Sequence, residues 1–172
     1  MRRGAGALPV ALLFLIALQL QTAAAPLVTL MGLKPQFVAA LVVSLGFLYG
    51  PLAGATWGFA GGLALDLLSG VPLGVSSFAL TAVGAIWGHV AAGLKSPGWL
   101  VLALATFPAL VAYDTLVALW LQGLGWPLSL GFSLVHVALP GAILSALPVP
   151  FNYYILRWLE ERSRRFEVRS WD

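Results

Sequence analysis

Two carboxylates and two histidines are the side chains in the body of this chain that could do acid–base or ligand chemistry: Asp66, Asp114, His89 and His136. A carboxylate and an imidazole at one depth on adjacent helices can share a proton, and several such groups in series can relay one. Hydrolysis or metal binding asks for more. No nucleophile–base–orienter set can be assembled from these residues, and neither a phosphate-binding loop nor zinc-ligand spacing is present. The chain has no cysteine, which removes thiolate ligands and disulfides. The residues therefore predict a protein that is not an enzyme and uses no cofactor or metal.

The surroundings of these groups set their role. Between Gly4 and Leu156 the only other formal charges are Lys34 and Lys95. The chain is 60% hydrophobic and 9% charged, with a mean hydropathy of +0.96, whereas soluble domains carry about 25% charged residues. At roughly 20 residues per span, the length fits about six membrane helices with short loops and leaves no room for a further domain. The expectation is an all-α, polytopic membrane protein, a single transmembrane domain over residues 1–172 with a basic tail from 157 to 172. Its spans are expected near residues 8–30, 35–49, 52–68, 75–94, 99–121 and 128–156.

The breaks are Gly50-Pro51, the turn from Ser69 to Gly74, Lys95-Ser96-Pro97-Gly98, and the stretch from Gly123 to Pro127. Arg2-Arg3, an apolar run and Ala23-Ala24-Ala25 give the first span the look of a signal peptide. Pro26 directly after the small residues disfavours cleavage, and the apolar run continues, so the span is expected to be retained. Pro140, Pro148 and Pro150 predict a kink or break near the end of the last span.

Arg2, Arg3, Arg157, Arg162, Arg164, Arg165 and Arg169 cluster at the chain ends. An even number of spans puts them on one side together with Lys95, so both termini are expected in the cytoplasm. The sequence pI of about 9.7 then reflects membrane anchors. Nothing accompanies it that would bind nucleic acid. The tail is expected to start as a helix whose arginines meet anionic lipid headgroups. In this topology Asp66 lies near the outer face, solvated at a helix end or otherwise structural. Asp114 and His136 lie in the outer half on neighbouring spans, and the prediction is that these two buried polar groups bond to each other. His89 sits near the inner end, out of their reach. The tryptophans fall mostly near span ends, as an interfacial belt.

The clearest spacing is a ladder of Gly50, Gly54, Gly58, Gly62, Asp66 and Gly70. Residues four apart share one ridge of a helix, and glycine there lets another backbone come close. The ridge is a helix-packing seam or a partner interface, and internal packing is the favoured reading. Gly84 and Gly88 on the next span form a shorter version, so the two spans are expected to pack as a hairpin.

The run Gly50-Pro51-Leu52-Ala53-Gly54, Gly58-Phe59, Gly61-Gly62-Leu63, Asp66-Leu67-Leu68-Ser69-Gly70 and Pro72-Leu73-Gly74 resembles the rod shape-determining membrane protein family MreD, most closely over residues 35–92. The resemblance implies a non-enzymatic scaffold in the bacterial inner membrane, part of the elongation machinery. Its implied partners are MreC foremost, then RodA, its penicillin-binding transpeptidase and MreB, with a role in positioning peptidoglycan synthesis. The signature positions it carries over are Gly54, Gly58, Gly62, Asp66, Gly70, Pro72 and Gly74. It also implies a fold similar to the substrate-binding subunits of energy-coupling-factor transporters. A small-molecule-binding subunit of such a transporter is the alternative, and would need an outward-opening cavity with convergent polar groups.

Overall fold

A computed structural model describes residues 7–24, 35–91, 93, 98–127 and 129–168. Among these residues all regular structure is helical. Helix α1 spans Ala7–Gln19 and continues as a wider π-helical turn over Leu20–Ala24. Then follow α2 (Phe37–Tyr49), α3 (Pro51–Ser69), α4 (Val75–Ala91) and α5 (Trp99–Gly123). The last stretch is built from α6 (Leu130–Ser133), a second π-helical turn over Leu134–Ala138, α7 (Leu139–Ala146) and α8 (Pro148–Val168).

Helix α2 is the axis of the bundle. It is apolar on all sides, and residues Val38 to Gly46 are buried without interruption. A helix with no polar face belongs inside a bundle, and α1, α3, α4, α5, α7 and α8 all touch it. Around it close Val10 and Phe14 of α1, Leu65 of α3, Leu80 and Val83 of α4, Leu102 and Leu110 of α5, and Val149 and Leu156 of α8.

Glycines in the left-handed region mark the sharp turns. Gly50 (φ 90°) separates α2 from α3, and Pro51 opens α3 at the position where its missing N–H costs nothing. Gly70 (φ 66°) ends α3 and Gly74 (φ 103°) precedes α4, conformations that a Cβ disfavours. The result is a tight antiparallel hairpin.

Two helical stretches, Trp99–Gly123 and Leu130–Glu161, are long and apolar enough to cross a membrane, while Pro9–Thr22, Phe37–Tyr49 and Val75–Ala91 are shorter apolar helices. The expected second to fifth spans correspond to α2–α5, with α2 beginning two residues late and α5 running on to Gly123. The ends of the first and fourth expected spans, Lys34, Lys95 and Pro26 lie outside the described residues. The last span breaks near its end, at Leu147, and carries a second distortion that was not expected. Helix persists through Pro148 and Pro150, interrupted only at Leu147. The second distortion sits just before Pro140, whose ring and missing N–H are accommodated by the π-helical turn over Leu134–Ala138.

Candidate functional site

The α3–α4 seam begins with glycine. A Cβ on Gly54 would collide with the backbone carbonyl of Gly84, one on Gly58 with that of Leu80, and one on Gly62 with the backbone of Ser77. From the other side, a Cβ on Gly84 would strike Gly54, and one on Gly88 would lie 2.5 Å from the Cα of Pro51. Each four-residue step up α3 meets a matching step down α4. The two backbones touch because α3 presents no side chain along this ridge, and α4 meets it with Gly84 and Gly88 and with the backbone of Leu80 and Ser77. In lipid, where apolar burial does not drive helices together, such close packing supplies much of the attraction. The ladder thus faces α4. Gly61, one residue off the ridge, is covered instead by the rings and methyls of Phe14 and Val38.

Asp66 terminates that ridge and is 2% exposed. Its Oδ1 accepts the backbone N–H of Ser76 at 2.9 Å, and its Oδ2 accepts the N–H of Gly74 at 2.9 Å, the N–H of Ser77 at 3.2 Å and the hydroxyl of Ser77 at 3.2 Å. The first turn of α4 carries amides with no partner inside the helix. Gly74, at the capping position, has no side chain to offer them. The carboxylate of the preceding helix reaches across the turn and does so instead, where the helix dipole also favours negative charge. Solvation at a membrane surface, one role expected for Asp66, is therefore replaced by a buried capping role. Pro72 and the left-handed Gly70 and Gly74 fold the turn back so that the cap reaches its amides.

A second polar cluster gathers at the N-terminus of α2. The N–H of Gln36 donates to Ser145 Oγ of α7 at 2.9 Å, and the N–H of Val38 donates to Gln21 Oε1 at 2.9 Å. Gln36 Nε2 donates to Asp114 Oδ1 of α5. Four segments are tied together here by groups that satisfy a buried helix end. Among the described residues, Gln36 Oε1 and Asp114 Oδ2 have no hydrogen-bond partner.

The expected bond between Asp114 and His136 is not formed. His136 is exposed on the surface of the chain, against the expectation of a buried group. Its Nδ1 lies 3.3 Å from the carbonyl of Phe132, and its ring stacks on Phe132 with centroids 4.4 Å apart. His136 lies within the π-helical turn over Leu134–Ala138 and faces outward rather than toward Asp114. Gln36, the actual partner of Asp114, carries no spacing signal that distinguishes it. Two tryptophans pack within the bundle: Trp57 stacks on Phe14 with centroids 5.1 Å apart, and Trp87 Nε1 donates to the carbonyl of Ala105 at 2.7 Å.

Beside Asp114, α5 and the Leu130–Ala138 segment leave a cleft of about 190 Å³. Thr115, Ala118, Gly131, Ser133 and Ala138 line it together with Asp114. Among the described residues no group of three or more His, Cys, Asp or Glu side chains comes together. A family model described as rod shape-determining protein MreD matches residues 1–157. Neither the curated proteins nor the solved structures gave a match.

Proposed function

Because this chain belongs to the MreD family of rod shape-determining proteins, a membrane family with a role in the rod-shape complex, we propose that it is a non-enzymatic scaffold that binds MreC through the membrane and helps position peptidoglycan synthesis. The match over residues 1–157 carries this reading. We place the chain in the bacterial inner membrane as a single transmembrane domain of about six spans, with both termini cytoplasmic by the distribution of arginine and lysine. In this reading RodA, its transpeptidase and MreB join through MreC or beside it. The fold is proposed to be similar to that of energy-coupling-factor substrate-binding subunits.

The closed seam of α3 and α4 suits a rigid scaffold. Its glycine surfaces are occupied by each other, which leaves partner binding to other faces. The Asp114 cleft, at about 190 Å³, is smaller than the roughly 300–1,000 Å³ of small-molecule sites, so it fits a side chain better than a transported substrate.

The test is copurification. The tagged chain, coexpressed with MreC and extracted in mild detergent, is expected to retain MreC through purification. MreC lacking its membrane span is expected to be lost. Folded chain that never carries intact MreC would overturn the reading.

A further inference from the structure

We propose that the cleft between α5 and the Leu130–Ala138 segment receives one long cationic side chain from the membrane span of a partner, with Asp114 as its acceptor. This rests on the scaffold reading above and assigns the docking face that it leaves open.

Asp114 stands some nine residues inside the end of α5, about 13 Å along the helix. At that depth a carboxyl group needs partners, since hydrocarbon supplies none. Gln36 serves Oδ1, but Oδ2 has no donor among the described residues. The nearest atom that a side chain at Gly141 would meet is this same Oδ2, at 3.7 Å, so α7 brings it no donor. Of the cleft's two hydroxyls, that of Ser133 makes no bond to Oδ2. Thr115 donates to the carbonyl of Val111 within its own helix.

The cleft has the size and shape for a single insertion. Its volume of about 190 Å³ exceeds the roughly 150 Å³ of a cavity that admits benzene, and falls well short of a whole helix. Ala118, Gly131 and Ala138 leave the room between the lining leucines Leu119, Leu130 and Leu134. The same segment carries the π-helical turn, a distortion frequent at functional sites. It also turns His136 and Phe132 outward, Phe132 being 61% exposed. Polar groups within a membrane ordinarily face protein rather than lipid. A partner helix lying along this face would cover His136 and deliver its cationic group to Asp114.

Photo-crosslinking tests this directly. A benzoylphenylalanine at Gly131 is expected to crosslink to the span of coexpressed MreC, and one at Leu63, on the exposed side of α3, is not. A cleft-filling Ala118→Phe should reduce MreC copurification about thirtyfold or more, as loss of a buried charge partner does, while the chain keeps wild-type yield and size-exclusion profile. Asp114→Leu should do the same with a lowered melting midpoint, since Gln36 also loses its acceptor. Asp114→Glu, which retains the charge, is expected to restore part of it. If wild-type chain holds MreC but Gly131 crosslinks only to lipid or to a second copy, the docking assignment is wrong and the scaffold reading survives. If wild-type chain holds no MreC, the scaffold reading itself fails. Should Asp114→Leu prove unstable, the Gly131 crosslink in otherwise wild-type chain decides alone.

Discussion

Replacing Asp66 by alanine removes the one acceptor group that serves the backbone amides of Gly74, Ser76 and Ser77. Capping losses and hydrogen bonds to charged groups together put the cost at about 2–3 kcal/mol. Thermal unfolding in detergent should show it as a lowered midpoint. Asp66→Asn keeps one carbonyl acceptor but turns an amide NH2 toward N–H donors, so it should lie between wild type and alanine. Equal stability of all three would mean that the cap is dispensable. For Asp114, a double-mutant cycle of Gln36→Leu with Asp114→Ala, which removes the acceptor, is expected to give coupling of about 0.6–1.7 kcal/mol, as for hydrogen bonds between membrane helices. His136→Ala should be additive with Asp114→Asn. The sequence made Asp66 and Asp114 conspicuous, because each is an isolated charge in an apolar run. Their partners were not legible. The atoms that Asp66 binds are mostly backbone amides, which no sequence pattern labels, and Gln36 and Ser145 are brought to the α2 terminus by long-range packing.

At the scale of elements, the α3–α4 seam predicts a steep dependence on side-chain size. Gly58→Ala places a methyl against the Leu80 carbonyl, and overpacking of this kind costs about 1–3 kcal/mol. Gly58→Leu should abolish recovery of folded, monodisperse protein. Ala60→Leu, on the exposed side of the same helix, should leave yield and melting unchanged, although it adds similar bulk. If Gly58→Leu instead folds and melts like wild type, the ridge is not packed on α4. Four-residue spacing made this element pair readable in advance, since a glycine ridge on one span and Gly84 with Gly88 on the next leave one natural mate for each. The last stretch was less legible. Three prolines point to a kink or break near its end, yet a proline states only that its own N–H is missing. Whether the helix bends, bulges or simply continues depends on the neighbours, and here the accommodation lies upstream of Pro140.

At the scale of the molecule, composition alone requires a membrane home, and the family supplies the rod-shape complex as the context. Number of spans and orientation rest on charge distribution rather than on packing, because helices such as α2 and α4 are short for a bilayer and are buried or half-covered by their neighbours. Docking of a partner span along α5 and the Leu130–Ala138 segment requires that this face lies within the bilayer, and the proposed orientation has α3 and α5 both running outward. Cysteine accessibility in intact cells tests that body plan most directly, with single cysteines at Ser69, Ser96 and Ser163 and a membrane-impermeant thiol reagent. Labelling is expected at Ser69, with protection at Ser96 and Ser163 until the membrane is permeabilised. Labelling of Ser163 from outside would contradict the even number of spans, and with it the positive-inside orientation on which the proposed scaffold is built.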